Sequence, residues 1–172
     1  TALLRYKFDN NVSLYGGLRA QSAKGTVQII APALGLANYQ LETSREYDLG
    51  YVIGVAWERP DIAARVALTY NSAITHDFSV QEGIGALAPS LPFSTEVPQS
   101  VNLEFQSGIA ADTLLFGSVR WVDWSEFDIT PVGYEAVTGS SLVSYDDDSV
   151  TYTLGVGRRF NDTWSGSIAL AH

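Results

Sequence analysis

The chain has 172 residues and no cysteine, which excludes disulfides and thiolate metal sites. Its net charge of −9, without any basic stripe, excludes a nucleic-acid surface. Charged residues make up only 17% and mean hydropathy is slightly positive. Yet the longest uncharged stretch, from Thr26 to Leu41, is interrupted by Pro32, Gly35 and Asn38, so no transmembrane helix is expected.

Eight segments read as strands. The first, 2–8, ends at the polar turn Asp9-Asn10-Asn11, and the second covers 12–30. Its apolar face changes parity between Ala20 and Val27, near Gly25, which predicts a bulge there. An apolar loop, Ala31 to Leu41, leads to the third, 47–59. There Tyr47, Leu49, Tyr51, Ile53, Val55 and Trp57 share one face, while Asp48, Gly50, Gly54, Ala56 and Glu58 share the other. The turn Pro60-Asp61 leads into the fourth, 62–79, with Ala64, Val66, Leu68 and Tyr70 set against Arg65, Thr69 and Asn71. A second apolar loop, Gly83 to Phe93, precedes the fifth, 96–109, with Val101, Leu103 and Phe105 set against Asn102, Glu104 and Gln106.

The turn Ala110-Ala111-Asp112 opens the sixth, 113–130. In the seventh, 144–160, Val150, Tyr152, Leu154 and Val156 oppose Thr151, Thr153 and Gly155. After Asn161-Asp162 comes the eighth, 163–171. Short turns alternating with long loops are the pattern of a transmembrane β-barrel, the one sheet architecture that leaves no backbone group unpaired in lipid.

Two features separate this reading from a soluble sandwich, whose strands alternate in the same way. Tyr6, Phe8, Trp57, Phe160 and Trp164 all lie beside short turns, where amphipathic rings would form a girdle at the headgroup level. Several segments also exceed the ~9–11 residues needed to cross a bilayer and the ~5–6 of an ordinary sandwich strand. The expected fold is an all-β, antiparallel transmembrane barrel in the bacterial outer membrane. The opening segment is short and is followed by a short turn, and the last stops at His172 while rising. Residues 1–172 are therefore expected to be one partial barrel domain, cut at both ends, from a larger barrel.

From the fifth to the eighth segment the chain resembles the FadL-type long-chain fatty-acid and toluene transporter family. The residues that carry the resemblance are Val97-Pro98-Gln99-Ser100-Val101, then Val119-Arg120-Trp121-Val122-Asp123-Trp124-Ser125-Glu126-Phe127. They continue with the run from Tyr152 through Gly155, Gly157 and Phe160 to Trp164. Tyr6-Lys7-Phe8-Asp9-Asn10-Asn11 and Leu14-Tyr15-Gly16-Gly17-Leu18-Arg19 are also similar. The resemblance implies a barrel of about fourteen strands, plugged by an N-terminal hatch, in a Gram-negative outer membrane. It implies uptake of fatty acids or aromatic hydrocarbons, released sideways through the wall, with no cofactor and no covalent chemistry. The hatch's Asn-Pro-Ala start and a closing C-terminal aromatic are absent from these residues.

Lipid exposure makes strand charges costly, so they are expected to point inward. Arg120 should lie opposite Asn102 and diagonal to Glu104, and Arg65 diagonal to Glu58; both are read as neutralising pairs. In the first hairpin Arg5 should face Tyr15 and Lys7 face Ser13, with Arg19 further up the same face. None of the three bases has an acid on its own two strands. Arg5, Lys7, Tyr15 and Arg19 are therefore candidates to hold a carboxylate; pairing with acids on other strands is the alternative. Leu34, Leu36 and Tyr39, with Ile84, Leu87, Leu91 and Phe93, make the outer loops apolar. They would offer a greasy landing groove, or pack on one another over the barrel mouth.

Asp146-Asp147-Asp148 reads as a solvated loop end, or as a divalent-ion contact with lipopolysaccharide. His76-Asp77 with Ser72 and Ser79 is too local for a triad, and His76 is expected at the rim. The chain is expected to act as a monomeric, non-enzymatic, porin-like transporter of hydrophobic small molecules. A structural or adhesion barrel whose loops bind a partner is the alternative.

Overall fold

The computed structural model describes residues 1–31, 36–84 and 90–172. Eight strands form one antiparallel sheet: β1 (Ala2–Lys7), β2 (Val12–Ala23), β5 (Glu46–Arg59), β6 (Ala64–Asn71), β9 (Ser100–Ala110), β10 (Thr113–Val122), β13 (Ser149–Arg159) and β14 (Ser165–Ala171). Their order across the sheet is their order along the chain, a pure meander.

The four predicted turns close this sheet at one end. Asn11, Ala63 and Asp112 take positive φ of 66°, 50° and 54°. In the last turn the Asn161 side-chain oxygen accepts from the backbone N–H groups of Thr163 and Trp164. Such Asx geometry substitutes for the ladder where the chain reverses.

The distribution of polarity is the reverse of a soluble protein's. Tyr47, Leu49, Tyr51, Ile53, Val55 and Trp57 are all exposed, while Val52 and Ala56, on the opposite face of β5, are buried. Val150, Tyr152, Leu154 and Val156 on β13 are exposed likewise. Water would penalise such a continuous apolar wall; hydrocarbon accommodates it. Tyr6, Phe8, Trp57, Phe160 and Trp164 are exposed beside the turns, as a girdle requires.

The long apolar loops are corrected in large part to strands. A second sheet in the order β3-β4-β7-β8 is built from β3 (Thr26–Ala31), β4 (Leu36–Thr43), β7 (Ile74–Ile84) and β8 (Ser90–Val97). Tyr39, Leu41, Phe78 and Val80 form its core, packed by Val27, Ile29, Phe93 and Tyr134. Alternating apolar side chains on adjacent strands gain more by burying one shared face than as solvated loops. The parity change predicted near Gly25 marks the passage from one sheet to the other: Gly25 exchanges hydrogen bonds with Thr43 instead of continuing β2.

The sixth segment is shorter than expected. β10 stops at Val122, and the connection to β13 holds a 3-10 turn (Trp124–Glu126), two short strands, β11 (Asp128–Ile129) and β12 (Val143–Ser144), and helix α1 (Val132–Thr138). Pro131 precedes α1, and Gly139 ends it at φ 71°, the left-handed stop that glycine adopts without strain. Tyr134 of α1 lies edge-on to Tyr39, 5.7 Å between ring centroids, and so ties this connection to the second sheet.

Candidate functional site

The candidate site is the inner face of the eight-stranded sheet. Register places Arg5, Tyr15, Gly54, Thr69, Asn102 and Arg120 in one transverse row across β1, β2, β5, β6, β9 and β10. Below this row, toward the turns, come Lys7, Ser13, Ala56, Ala67 and Glu104, then Glu58, Arg65 and Gln106. The row and its neighbours line a cleft of about 690 Å³, with Arg19, Asn71, Pro98 and Ser100 along its upper margin.

Gly54 shapes the floor. A Cβ there would lie 2.3 Å from Cζ of Tyr15, so only glycine lets that ring lie flat across β5. Laid down in this way, the Tyr15 hydroxyl reaches and hydrogen-bonds Thr69 on the next strand but one.

The lower end holds a charge cluster. Glu58 binds Arg5 at 2.7 Å, Lys7 at 3.3 Å and Arg65 at 3.6 Å. Arg5 also donates from Nε to the buried Ser13 hydroxyl. One carboxylate thus faces three cations, and the inner wall keeps a positive excess there. Arg120 donates to Asn102 Oδ1 at 3.1 Å. Among the described residues neither Arg120 nor Arg19 has an ion-pair partner.

Several sequence expectations meet their geometry here. Arg5 faces Tyr15, Lys7 faces Ser13 and Arg120 faces Asn102, as the turn positions imply. Arg65 is directly opposite Glu58, not diagonal to it, because the turn takes Pro60–Ile62 plus a left-handed Ala63 instead of two residues. The expected pairing of Arg120 with Glu104 is corrected to the amide bond with Asn102. Arg5 and Lys7 do find an acid, on β5 rather than on their own hairpin; Glu58 was assigned only to Arg65 because sequence alone does not show that β1, β2, β5 and β6 converge on it. Arg19 remains the half-buried base of this group without an acid among the described residues.

The apolar candidates are placed differently. Tyr39 is 1% exposed, inside the core of the second sheet. Phe93 is half-buried and stacks on Phe78 at 6.2 Å, and the half-buried Leu91 lies opposite Val80. A ligand would meet Tyr39 only if that sheet opened. Leu36 and Ile84 fall on β4 and β7, and Leu34 and Leu87 lie outside the described residues. His76, expected at the rim, sits above the sheet but is 1% exposed, held by Asp48. Sequence reading passed over Thr69, Asn71 and Ser100 as cleft residues. Their signal was the inward parity of β6 and β9, shared with Arg65 and Asn102.

No family model matches the chain, and no curated protein matches its sequence. Solved structures do match it. A Pseudomonas aeruginosa FadL homologue superimposes with a TM-score of 0.67 at 16% identity, over 98% of this chain and 47% of that one. The chain has the fold of the FadL-type outer-membrane barrels. The Ralstonia pickettii toluene transporter TbuX matches with a TM-score of 0.61 at 12% identity, over 98% of this chain and 53% of TbuX. The Pseudomonas putida toluene transporter TodX gives 0.60 at 12% identity, over 99% of this chain and 55% of TodX. The chain thus spans about half the length of the FadL-type barrels it matches.

Proposed function

We propose that this chain forms part of the wall and lumen of an outer-membrane channel through which hydrophobic small molecules diffuse passively. The observation that carries the reading is the cleft of about 690 Å³, which combines a lipid-facing wall outside with a hydrogen-bonding, cationic surface inside. A lumen packed solid by Arg–Glu pairs would favour an adhesion barrel; Arg19 and Arg120, without an ion-pair partner among the described residues, favour a lumen that receives a ligand. FadL-type structural neighbours that include toluene transporters support the same reading.

The driving force is burial of apolar ligand area, roughly 25 cal/mol per Å². Arg19 orients an acidic head when the ligand has one, because a guanidinium without an acid partner gains a charge-assisted hydrogen bond from a carboxylate. Arg5 and Lys7 take part through the positive excess they keep around Glu58.

The test compares uptake of a long-chain fatty acid with that of a neutral hydrocarbon. Arg19→Ala slows the acid and leaves the hydrocarbon unchanged. Equal slowing of both would remove the carboxylate anchor, and wild-type protein that moves neither compound would remove the transport reading.

A further inference from the structure

The two sheets part along a seam. β5 pairs with β6 only from Val52 downward, and β7 pairs with β8 and, only through its upper part from Val80 to Ile84, with β4. The lower end of the seam is fastened where the backbone N–H of Ser72 donates to Tyr51 O and that of Tyr51 donates to the Ser72 hydroxyl. The upper end is fastened by Ser44 N–H to Ser79 O and by Ser79 N–H to the Ser44 hydroxyl. Between these fastenings, no ladder joins residues 45–50 to residues 73–78 among the described residues.

Side chains close the seam instead. Ile74, 1% exposed, lies against Gly50, where an added Cβ would come within 2.6 Å of it. Two residues further on, His76 Nδ1 meets Asp48 Oδ2 at 2.7 Å. The carboxylate accepts, so Nδ1 carries the hydrogen. His76 is 1% exposed, and its Nε2 has no hydrogen-bond partner among the described residues. Gln21, opposite Asp48 on β2, likewise carries a buried side-chain oxygen, Oε1, without a partner among the described residues. Among the described residues, then, one buried acceptor on His76 and one on the residue across the ladder from Asp48 lack a donor, and leaving such atoms unmet costs desolvation free energy.

We propose that Asp48 and His76 form a proton-operated latch across this seam, tightening when the imidazole takes its second proton. That proton gives the imidazolium two N–H groups, of which Nδ1–H faces Asp48. It also turns the bond to the Asp48 carboxylate, until then assisted by one charge, into an ion pair between imidazolium and carboxylate. The surroundings are mixed in sign. Arg19 lies diagonal to Asp48 on β2, and Glu46 on β5 accepts from Ser44. Asp77 neighbours His76 on β7 with its side chain exposed, and Glu96 on β8 accepts from Thr75. Acid therefore holds the seam shut and mild alkali loosens it. Its role as a gate for hydrophobic cargo rests on the transport reading above; the latch itself does not.

With no native cysteine, Tyr47→Cys and Thr75→Cys place spin labels on exposed positions either side of the seam. Inter-label distances are measured with the full chain in lipid nanodiscs at about pH 5 and about pH 8, the span over which an imidazole titrates. The distance distribution narrows at the lower pH, and this response is lost in His76→Asn and in Asp48→Asn. A wild-type distribution insensitive to pH, or the same sensitivity in both variants, overturns the latch. Hydrophobe uptake is assayed separately, so protein that moves no cargo refutes the transport reading while the label distances still decide the latch.

Discussion

Exchanging adjacent residues on β13 for arginine tests whether lipid wets the exposed face. Leu154 is the middle residue of the strand, 55% exposed, between Gly117 on β10 and Leu170 on β14. Thr153 is half-buried on the opposite face, between Ser118 and Ala171. In water, arginine at an exposed leucine changes stability by no more than about 0.5 kcal/mol. At the mid-plane of a bilayer it costs about 2–4 kcal/mol, a shift of about 30- to 700-fold in the folding equilibrium. Thr153→Arg projects into the lumen, where water and Ser118 solvate the guanidinium, and costs less than about 1 kcal/mol. The assay is urea-driven folding into lipid vesicles, comparing each variant with the parent. Equal costs at the two positions, or a greater cost at Thr153, would refute the assignment of the apolar face to hydrocarbon.

Gly54→Ala sets a methyl against the Tyr15 ring and breaks its bond to Thr69. Hydrophobe binding weakens while the strand remains paired, which ligand-titrated fluorescence together with circular dichroism will show. Asp148, in the connection before β13, has its carboxyl held below the ordinary range by hydrogen bonds from the Ser125 hydroxyl, the Ser125 backbone N–H and Trp121 Nε1–H. Its folded-state pKa lies below the unfolded one. The contribution is therefore present above the ordinary carboxylate range and is lost as pH falls through the depressed value. Trp fluorescence followed through an acid titration should report this release, and Asp148→Ala should abolish the step.

The sidedness of the wall was legible because period-two alternation carries its own check. Each of Tyr47, Leu49, Tyr51, Ile53, Val55 and Trp57 keeps its face, and one slip would have moved them all. Two of the short turns fixed local register as well, so Arg5–Tyr15 and Arg120–Asn102 could be counted from the hinge, whereas the turn at Pro60–Ile62 is longer than two residues and sets Arg65 directly opposite Glu58. Contacts beyond one hairpin were harder to read. Glu58 reaches Arg5 and Lys7 only because β5 returns beside β2 after the intervening upper hairpin. The second sheet stayed hidden for a related reason: its strands are divided from those of the main sheet only by short bends near 24–25, 44–45, 72–73 and 98–99, where alternation restarts out of phase. His76 looked like a rim residue because its burial depends on Asp48 and Phe78, which no local pattern announces.

The meander order of the main sheet bears on how such a wall can be assembled. Every strand's neighbour is one that precedes or follows it along the polypeptide, so each new hairpin can be added to a growing margin without unzipping what is already in place. A sheet that grows in this way shows bare amides and carbonyls only along its two margins, and each added hairpin covers one set while presenting the next.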